Sequence, residues 1–255
     1  MSTTLTEPSL VTDQQKQQFI DDGYFVLERC VPEEHLELLR NKCQGFIDQA
    51  DAQMDAKGVD RIELSARGKR YFVNNCYKKD HALGDFVFGE LMADICRATM
   101  GEEAYLFNDQ YVVKGTDKDS SFSWHQDSGY VHLDCPMYLT CWITLDDVTL
   151  ENGTVYLLPY SESGIRSVVK HLIDPRTNDQ VGYFGKNPGI PVILPAGSIA
   201  VFSSYVFHRS GPNLTDKLRR VYLPQYSSEI IRNQQGQPWG QAVPFLKDGE
   251  IVWKP

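Results

Sequence analysis

The chain has 255 residues, is 42% hydrophobic and 11% aromatic, and carries a formal net charge of −9 at pH 7. Such a length buries a substantial core, and such a charge excludes nucleic acid and anionic membrane surfaces as partners selected by global electrostatics, although a local basic pocket remains compatible with it. No stretch approaches the ~20 apolar residues that a membrane span needs.

Residues 1–11 read as a flexible tail. Thr12 is placed to cap a first helix, Phe19 and Ile20 give it a short apolar face, and Gly23 stops it. Tyr24-Phe25-Val26-Leu27 reads as a buried strand. Pro32 suits the first position of a helix, and Leu36, Leu39, Cys43, Phe46, Ile47 and Ala50 recur at helical spacing, so the pattern predicts a helix over 32–50. Residues 51–70 collect Lys57, Arg61, Arg67, Lys69 and Arg70 among glycines. They read as a solvated loop, or as a cationic lid that meets an anionic substrate. A further helix is expected over 84–100, with Phe88, Leu91, Met92 and Ile95 on one side.

After residue 104 the texture turns to β. Short runs rich in aromatic and β-branched residues predict strands over 105–114, 122–125, 138–146, 154–158, 191–194, 199–203 and 220–227. Asn152-Gly153 and Pro195-Ala196-Gly197 supply turns between them. The long polar stretch 160–190 reads as a functional or mobile loop. Nothing splits the chain, so one domain over 1–255 is expected: a mostly helical part over 12–103, then a β-sandwich or jelly-roll core over 104–227. The six cysteines form no CxxC pair, and the start Met1–Gln18 is polar and lacks the apolar run of a secretory signal. The cysteines therefore read as reduced thiols and the protein as cytoplasmic.

His125-Gln126-Asp127 is followed by a distant His208 and then by Arg219. Alternate strand residues share a face, so His125 and Asp127 project together while Gln126 points away. His208 is expected to arrive on a later strand across the barrel. Two imidazoles and one carboxylate hold a metal on one face and leave the other face open, an arrangement that suits non-haem iron(II); zinc accepts the same ligands. His35 falls on a helix surface, and His81, His132 and His171 lie in polar segments without a carboxylate pattern.

Arg219 has a separate logic. A metal dication and the Asp127 carboxylate sum to about +1, and a 2-oxoglutarate dianion brings the site to about −1. Its far carboxylate needs a partner, and a guanidinium fork binds a carboxylate through two parallel hydrogen bonds. Gly211-Pro212-Asn213 reverses the chain and brings Arg219 onto the neighbouring strand. Ser210 shares the parity of His208 and can bond the same carboxylate, whereas Arg220 alternates outward as a surface charge.

Together these residues resemble the phytanoyl-CoA dioxygenase family of iron(II)/2-oxoglutarate oxygenases. The resemblance runs from Gly23-Tyr24-Phe25-Val26 to about Tyr226. It is carried by Trp124-His125-Gln126-Asp127, Glu151-Asn152-Gly153 with Leu158-Pro159, Pro195-Ala196-Gly197-Ser198, and the block from His208 to Arg219. It implies a mainly β double-stranded β-helix (a cupin-like jelly roll) with flanking helices. It implies iron(II) on His125, Asp127 and His208, and 2-oxoglutarate on Arg219 and Ser210, with O2 as oxidant. Trp142, Gln110 and Phe122 are expected beside the co-substrate, and Gln126, Tyr130 and His132 beside the substrate. The carboxylate of Asp127 argues against halogenation, because related halogenases carry a small residue there. The expected activity is hydroxylation, desaturation, epoxidation or ring closure of a small molecule, anionic ones included, with release of succinate and CO2. A cupin-type metalloenzyme without 2-oxoglutarate, or a non-catalytic binding protein on the same scaffold, remains the alternative. Nothing in the sequence sets an oligomeric state.

Overall fold

The computed structural model describes residues 9–118, 120–131, 134–175 and 179–255. Helix α1 (Asp13–Asp22) starts at a complete capping box between Thr12 and Gln15 and ends at Gly23, whose φ is +80°. A Cβ there would lie 2.5 Å from the Val206 side chain and 2.6 Å from the Tyr160 ring, so only glycine lets the helix turn into strand β1 (Tyr24–Leu27). Helix α2 (Glu33–Lys57) begins one residue after Pro32 with Glu33 and Glu34 in its first turn, favourable against the helix dipole.

Helix α2 runs seven residues beyond the expected end at 50. Met54, fully buried, extends the apolar stripe of Phe46 and Ile47 by two turns. Arg67 reaches back to Asp51 and Asp55 on those turns and to Asp60 beyond them. The stretch read as a loop is therefore the end of a helix and a meander, with strands β2 (Arg61–Ile62), β3 (Ser65–Ala66) and β4 (Arg70–Asn74). The helix expected over 84–100 is broken. Short helices α3 (Cys76–Lys79) and α4 (Gly84–Val87) precede α5 (Glu90–Met100), which restarts at Gly89.

The β region continues with β5 (Ala104–Lys114), β6 (Phe122–His125), β7 (Tyr138–Thr144) and β8 (Val155–Leu158). A single-turn helix α6 (Tyr160–Ser163) leads to a small hairpin, β9 (Leu172–Ile173) and β10 (Gln180–Val181). Then come β11 (Ile190–Pro191), β12 (Ile199–Ser203), β13 (Phe207–Ser210), β14 (Arg219–Ser227), β15 (Val243–Lys247) and β16 (Glu250–Ile251). The strand expected over 191–194 reduces to Ile190–Pro191 on β8 plus an isolated bridge from Leu194 to Val148.

All pairings are antiparallel and build two principal sheets. The larger has the order β1-β12-β7-β14-β5-β4-β3-β2, with β15 on the end of β5; the smaller has the order β11-β8-β13-β6. This is the mainly β, double-stranded β-helix architecture with helices on one side. The main core lies between the larger sheet and the helices, where Phe25, Leu39, Cys43, Ile95, Tyr111 and Tyr222 are buried. All six cysteines are free thiols and five are buried. No helix among the described residues is long and apolar enough to cross a membrane.

The other face of the larger sheet looks toward the smaller one, and register sets out its residues in rungs. Arg219, Lys114 and Arg70 face one another across β14, β5 and β4. Val221, Val112 and Phe72 form the next rung, then Leu223, Gln110 and Asn74. Gln225 pairs with Asn108 on one side and Thr140 on the other. One end of this face is thus cationic, its middle is mostly apolar, and its far end carries side-chain amides.

Candidate metal centre and co-substrate pocket

His125, Asp127 and His208 meet in a cavity of about 920 Å³ between the two sheets, each offering one donor atom within 4.8 Å of the others. His208 does not cross the barrel to reach the pair, as the sequence suggested. It lies on β13, which is the hydrogen-bonded neighbour of β6, with His208 directly opposite His125. Side chains opposite each other on one face are forced together, and the two imidazole centroids are 4.1 Å apart. Asp127 follows one extended residue later, at the start of a 3-10 turn over Asp127–Tyr130.

Both rings are oriented by their own strands. His125 Nδ1 lies 2.7 Å from the Ser123 carbonyl, and His208 Nδ1 3.1 Å from the Val206 carbonyl. Each Nδ1–H is spent on a backbone acceptor, which leaves Nε2 with its lone pair free for a metal. His208 Nε2 stands 3.4 Å from Asp127 Oδ1. The other oxygen, Oδ2, accepts from Thr140 Oγ1 at 2.6 Å and Gln225 Nε2 at 3.1 Å.

The electrostatics separate the two histidines. Burial, reinforced by His208, pushes His125 down to about 3, so it is a neutral ligand at any ordinary pH. Burial also works against a charge on His208, but the Asp127 carboxylate overrides it and raises His208 above its usual range. Burial would raise Asp127 as well, yet His208, His125 and Thr140 hold it down to about 2. The metal-free pair is therefore an imidazolium facing a carboxylate over part of the accessible pH range. A metal must displace that proton, so its affinity should fall as pH falls through the raised value of His208. Well below pH 6.5 uptake should release about one proton, and the number should decline toward zero as pH rises through the raised value of His208. Calorimetric titrations in buffers of different ionisation enthalpy read this directly.

At the cationic end, Arg219 is 2% exposed. It lies on the larger sheet, opposite β13, and not on the neighbouring strand the turn suggested. Asn213 makes that crossing, its side-chain amide donating to the carbonyls of Lys114 and Lys217. The guanidinium sits 5.6 Å from the centre of the Trp142 ring, and Nη2 makes a long bond of 3.3 Å to the Gly153 carbonyl. Nε and Nη1 are buried with no hydrogen-bond partner among the described residues. Burial holds Arg219 down to about 10.

Lys114 is a second buried basic group at this end, and the sequence reading missed it. Its Nζ donates to Ser210 Oγ at 2.7 Å and the Gly211 carbonyl at 2.6 Å, 4.8 Å from the Phe122 ring centre. Burial, then Arg219 and Arg70, depress it well below the usual lysine range. Ser210 thus faces the cationic end by way of Lys114. The signal was available, since Lys114 shares strand parity with Gln110. Trp142, Gln110, Phe122 and Tyr130 all line the cavity.

Gln126 is the clear correction among the substrate-side residues. It is fully buried and points away from the cavity. Its amide nitrogen donates to the carbonyls of Ser167 and Tyr205, and its oxygen accepts from the Val169 N–H. Its own backbone N–H donates to His171 Nε2 at 2.9 Å. Gln126 and His171 therefore staple the stretch after residue 160 onto the metal-bearing turn, and that stretch owes its order to these bonds in place of any periodic pattern. Arg220 alternates outward as expected, but it forks onto Asp146 with contacts of 2.9 and 2.6 Å. His132 lies outside the described residues.

A family model described as phytanoyl-CoA dioxygenase matches residues 19–221. A methylphosphonate hydroxylase of Gimesia maris is 26% identical over 240 residues, covering 89% of this chain and 83% of that protein. Among solved structures, the α-ketoglutarate-dependent carbocyclase SnoK of nogalamycin biosynthesis superposes with a TM-score of 0.71 at 18% identity, over 94% of this chain and 99% of its own. EctD from S. alaskensis, crystallised with 2-oxoglutarate and 5-hydroxyectoine, gives 0.70 at 19% identity, over 93% and 89%.

Proposed function

The chain belongs to the phytanoyl-CoA dioxygenase family, and from that premise we propose that it is an iron(II)- and 2-oxoglutarate-dependent dioxygenase oxidising a small anionic molecule, within one catalytic domain. His125, Asp127 and His208 hold the metal, and Arg219, with Lys114 and Ser210, holds the far carboxylate of 2-oxoglutarate. The observation that carries this reading is the pair of buried, unpartnered nitrogens on Arg219. A desolvated guanidinium with two idle donors costs several kcal/mol unless a carboxylate completes it. Iron(II), when bound, supplies dioxygen activation coupled to the oxidative decarboxylation of 2-oxoglutarate to succinate and CO2.

The protein's own part is positional. His125, Asp127 and His208 would hold the metal through one carboxylate and two imidazoles, a donor set that would leave room for co-substrate and oxidant. Phe122, Trp142, Val155 and Phe202 give the cavity an apolar wall, a surface that disfavours water. Which oxidation follows, hydroxylation or a desaturation, epoxidation or ring closure, is decided by how the target C–H bond sits in the remaining space.

Charge points to the substrate class. On the rung of Arg70, Lys114 and Arg219, one far carboxylate meets two guanidiniums and a buried amine whose charge is opposed by burial. Arg61, Lys78, Lys79 and Arg209 extend the positive lining, and among the described residues Asp127 and Asp179 are the lining carboxylates. A phosphonate or carboxylate substrate balances this surplus, and the relative named a methylphosphonate hydroxylase is in keeping with it.

Anaerobic titration of the iron(II)-loaded protein with 2-oxoglutarate tests the co-substrate. A visible metal-to-ligand charge-transfer band is expected, and its absence at saturating concentrations overturns the reading. Succinate production across phosphonates, carboxylates and their neutral isosteres tests the charge. Equal turnover of the neutral set would remove the anionic assignment.

A further inference from the structure

Asp127 is held from behind by a chain of side chains that the metal ligands do not explain. Thr140 Oγ1 and Gln225 Nε2 both donate to its Oδ2, and Gln225 Nε2 also lies 3.1 Å from Thr140 Oγ1. Asn108 Nδ2 donates to Gln225 Oε1 at 3.2 Å. These residues are cross-strand neighbours on β5, β14 and β7. The register of β14 on β5 shifts immediately after Gln225, and such bulges re-aim side chains beside functional sites.

The chain has a fixed direction. A carboxamide has one accepting and one donating end, and a carboxylate only accepts. Asn108 donating to Oε1 turns the NH2 of Gln225 toward Asp127. With the amide reversed, Gln225 would set oxygen against oxygen at Asp127 and nitrogen against nitrogen at Asn108. Thr140 and Gln225 are buried, so neither bond is readily replaced by water.

We propose that the Asn108–Gln225–Thr140 rung is a positioning device that occupies Oδ2 of Asp127 and presents Oδ1 alone to the metal. A carboxylate freed from this rung can rotate and chelate with both oxygens. On a metal with three protein ligands, 2-oxoglutarate needs two of the remaining positions and the oxidant needs the third. A two-oxygen Asp127 takes one of them away. The proposal rests on the metal reading above and deepens it.

Cobalt(II) titration of the full-length metal-free protein tests it, followed by visible absorption, whose intensity reports coordination number. Thr140→Val removes one donor with little change in volume. It should change the absorption and, because losing the fixed orientation of Asp127 outweighs the extra oxygen, weaken cobalt binding by about 10- to 100-fold; Thr140→Ser should restore both. Gln225→Met, of similar length, carries the same expectation if Thr140→Val fails to fold. Asn108→Leu touches neither the metal nor Asp127, yet it should weaken binding about threefold through Gln225. The double variant Asn108→Leu/Gln225→Met should then bind no more weakly than Gln225→Met alone. Wild-type affinity and spectrum in Thr140→Val and Gln225→Met overturn the proposal, as do fully additive effects of Asn108 and Gln225. A wild-type protein that takes up no cobalt overturns the metal reading itself, so the two failures are distinguishable.

Discussion

Arg219→Met should weaken 2-oxoglutarate binding by at least about a hundredfold and, in the absence of co-substrate, make the protein more stable. The first effect follows from removing one partner of a buried charge pair, which costs about 3–5 kcal/mol. Lys114 retains part of the attraction, so affinity falls without vanishing. Arg219→Lys keeps the charge but loses the planar fork and should fall between the two. The second effect has the opposite sign because the guanidinium is buried and incompletely paired. Its folded value, about 10, lies below the ordinary 12.5. A base depressed by folding lowers stability at every pH below its unfolded value, here on the order of 3 kcal/mol. Methionine fills most of the space and removes that cost. Calorimetric affinity for 2-oxoglutarate on the metal-loaded protein and thermal melting of the metal-free protein measure the two halves. Tight co-substrate binding by Arg219→Met refutes the anchor. A lower melting temperature shows that the guanidinium is paired in the free protein after all.

The same residue shows what a sequence can and cannot carry. That Arg219, Trp142, Gln110 and Phe122 should face one cavity was legible, because strand parity is local: alternate residues share a face whatever the strand pairs with. Which sheet each strand joins was not legible. His208 was expected across the barrel and sits beside His125, while Arg219 was expected beside His208 and sits on the opposite sheet. Pairing is a long-range property decided by loop lengths and by turn residues such as Asn213, whose amide bonds join segments about a hundred positions apart. The meander from Arg61 to Asn74 escaped for a different reason. Two-residue strands have no period to read, and the basic composition looked like a solvated loop until Arg67 was seen tied to three aspartates. Gln126 was misread because a polar residue inside a metal motif invites a functional role, whereas three backbone groups of two other segments fix it in the interior.

His208→Ala should lower iron(II) affinity by about a thousandfold, and more co-substrate should not compensate. Losing one of three ligands removes on the order of 4 kcal/mol of binding energy. What remains is one neutral imidazole and a carboxylate whose second oxygen is already engaged by Thr140 and Gln225. That prediction separates the two halves of the site. With Arg219→Met the metal stays bound, so the charge-transfer band should return at high 2-oxoglutarate. With His208→Ala the metal is lost, so the band should be absent at any 2-oxoglutarate concentration while Arg219 keeps its place under Trp142. The pH response should differ as well. In the wild type, His208 is the ligand that holds a competing proton, since His125 is already neutral. Removing His208 should therefore flatten the loss of metal affinity as pH falls through the raised value of His208, as well as lowering the affinity itself. A variant that binds weakly but retains the full wild-type pH slope would move the competing proton to another group and undo the assignment of the imidazolium to His208.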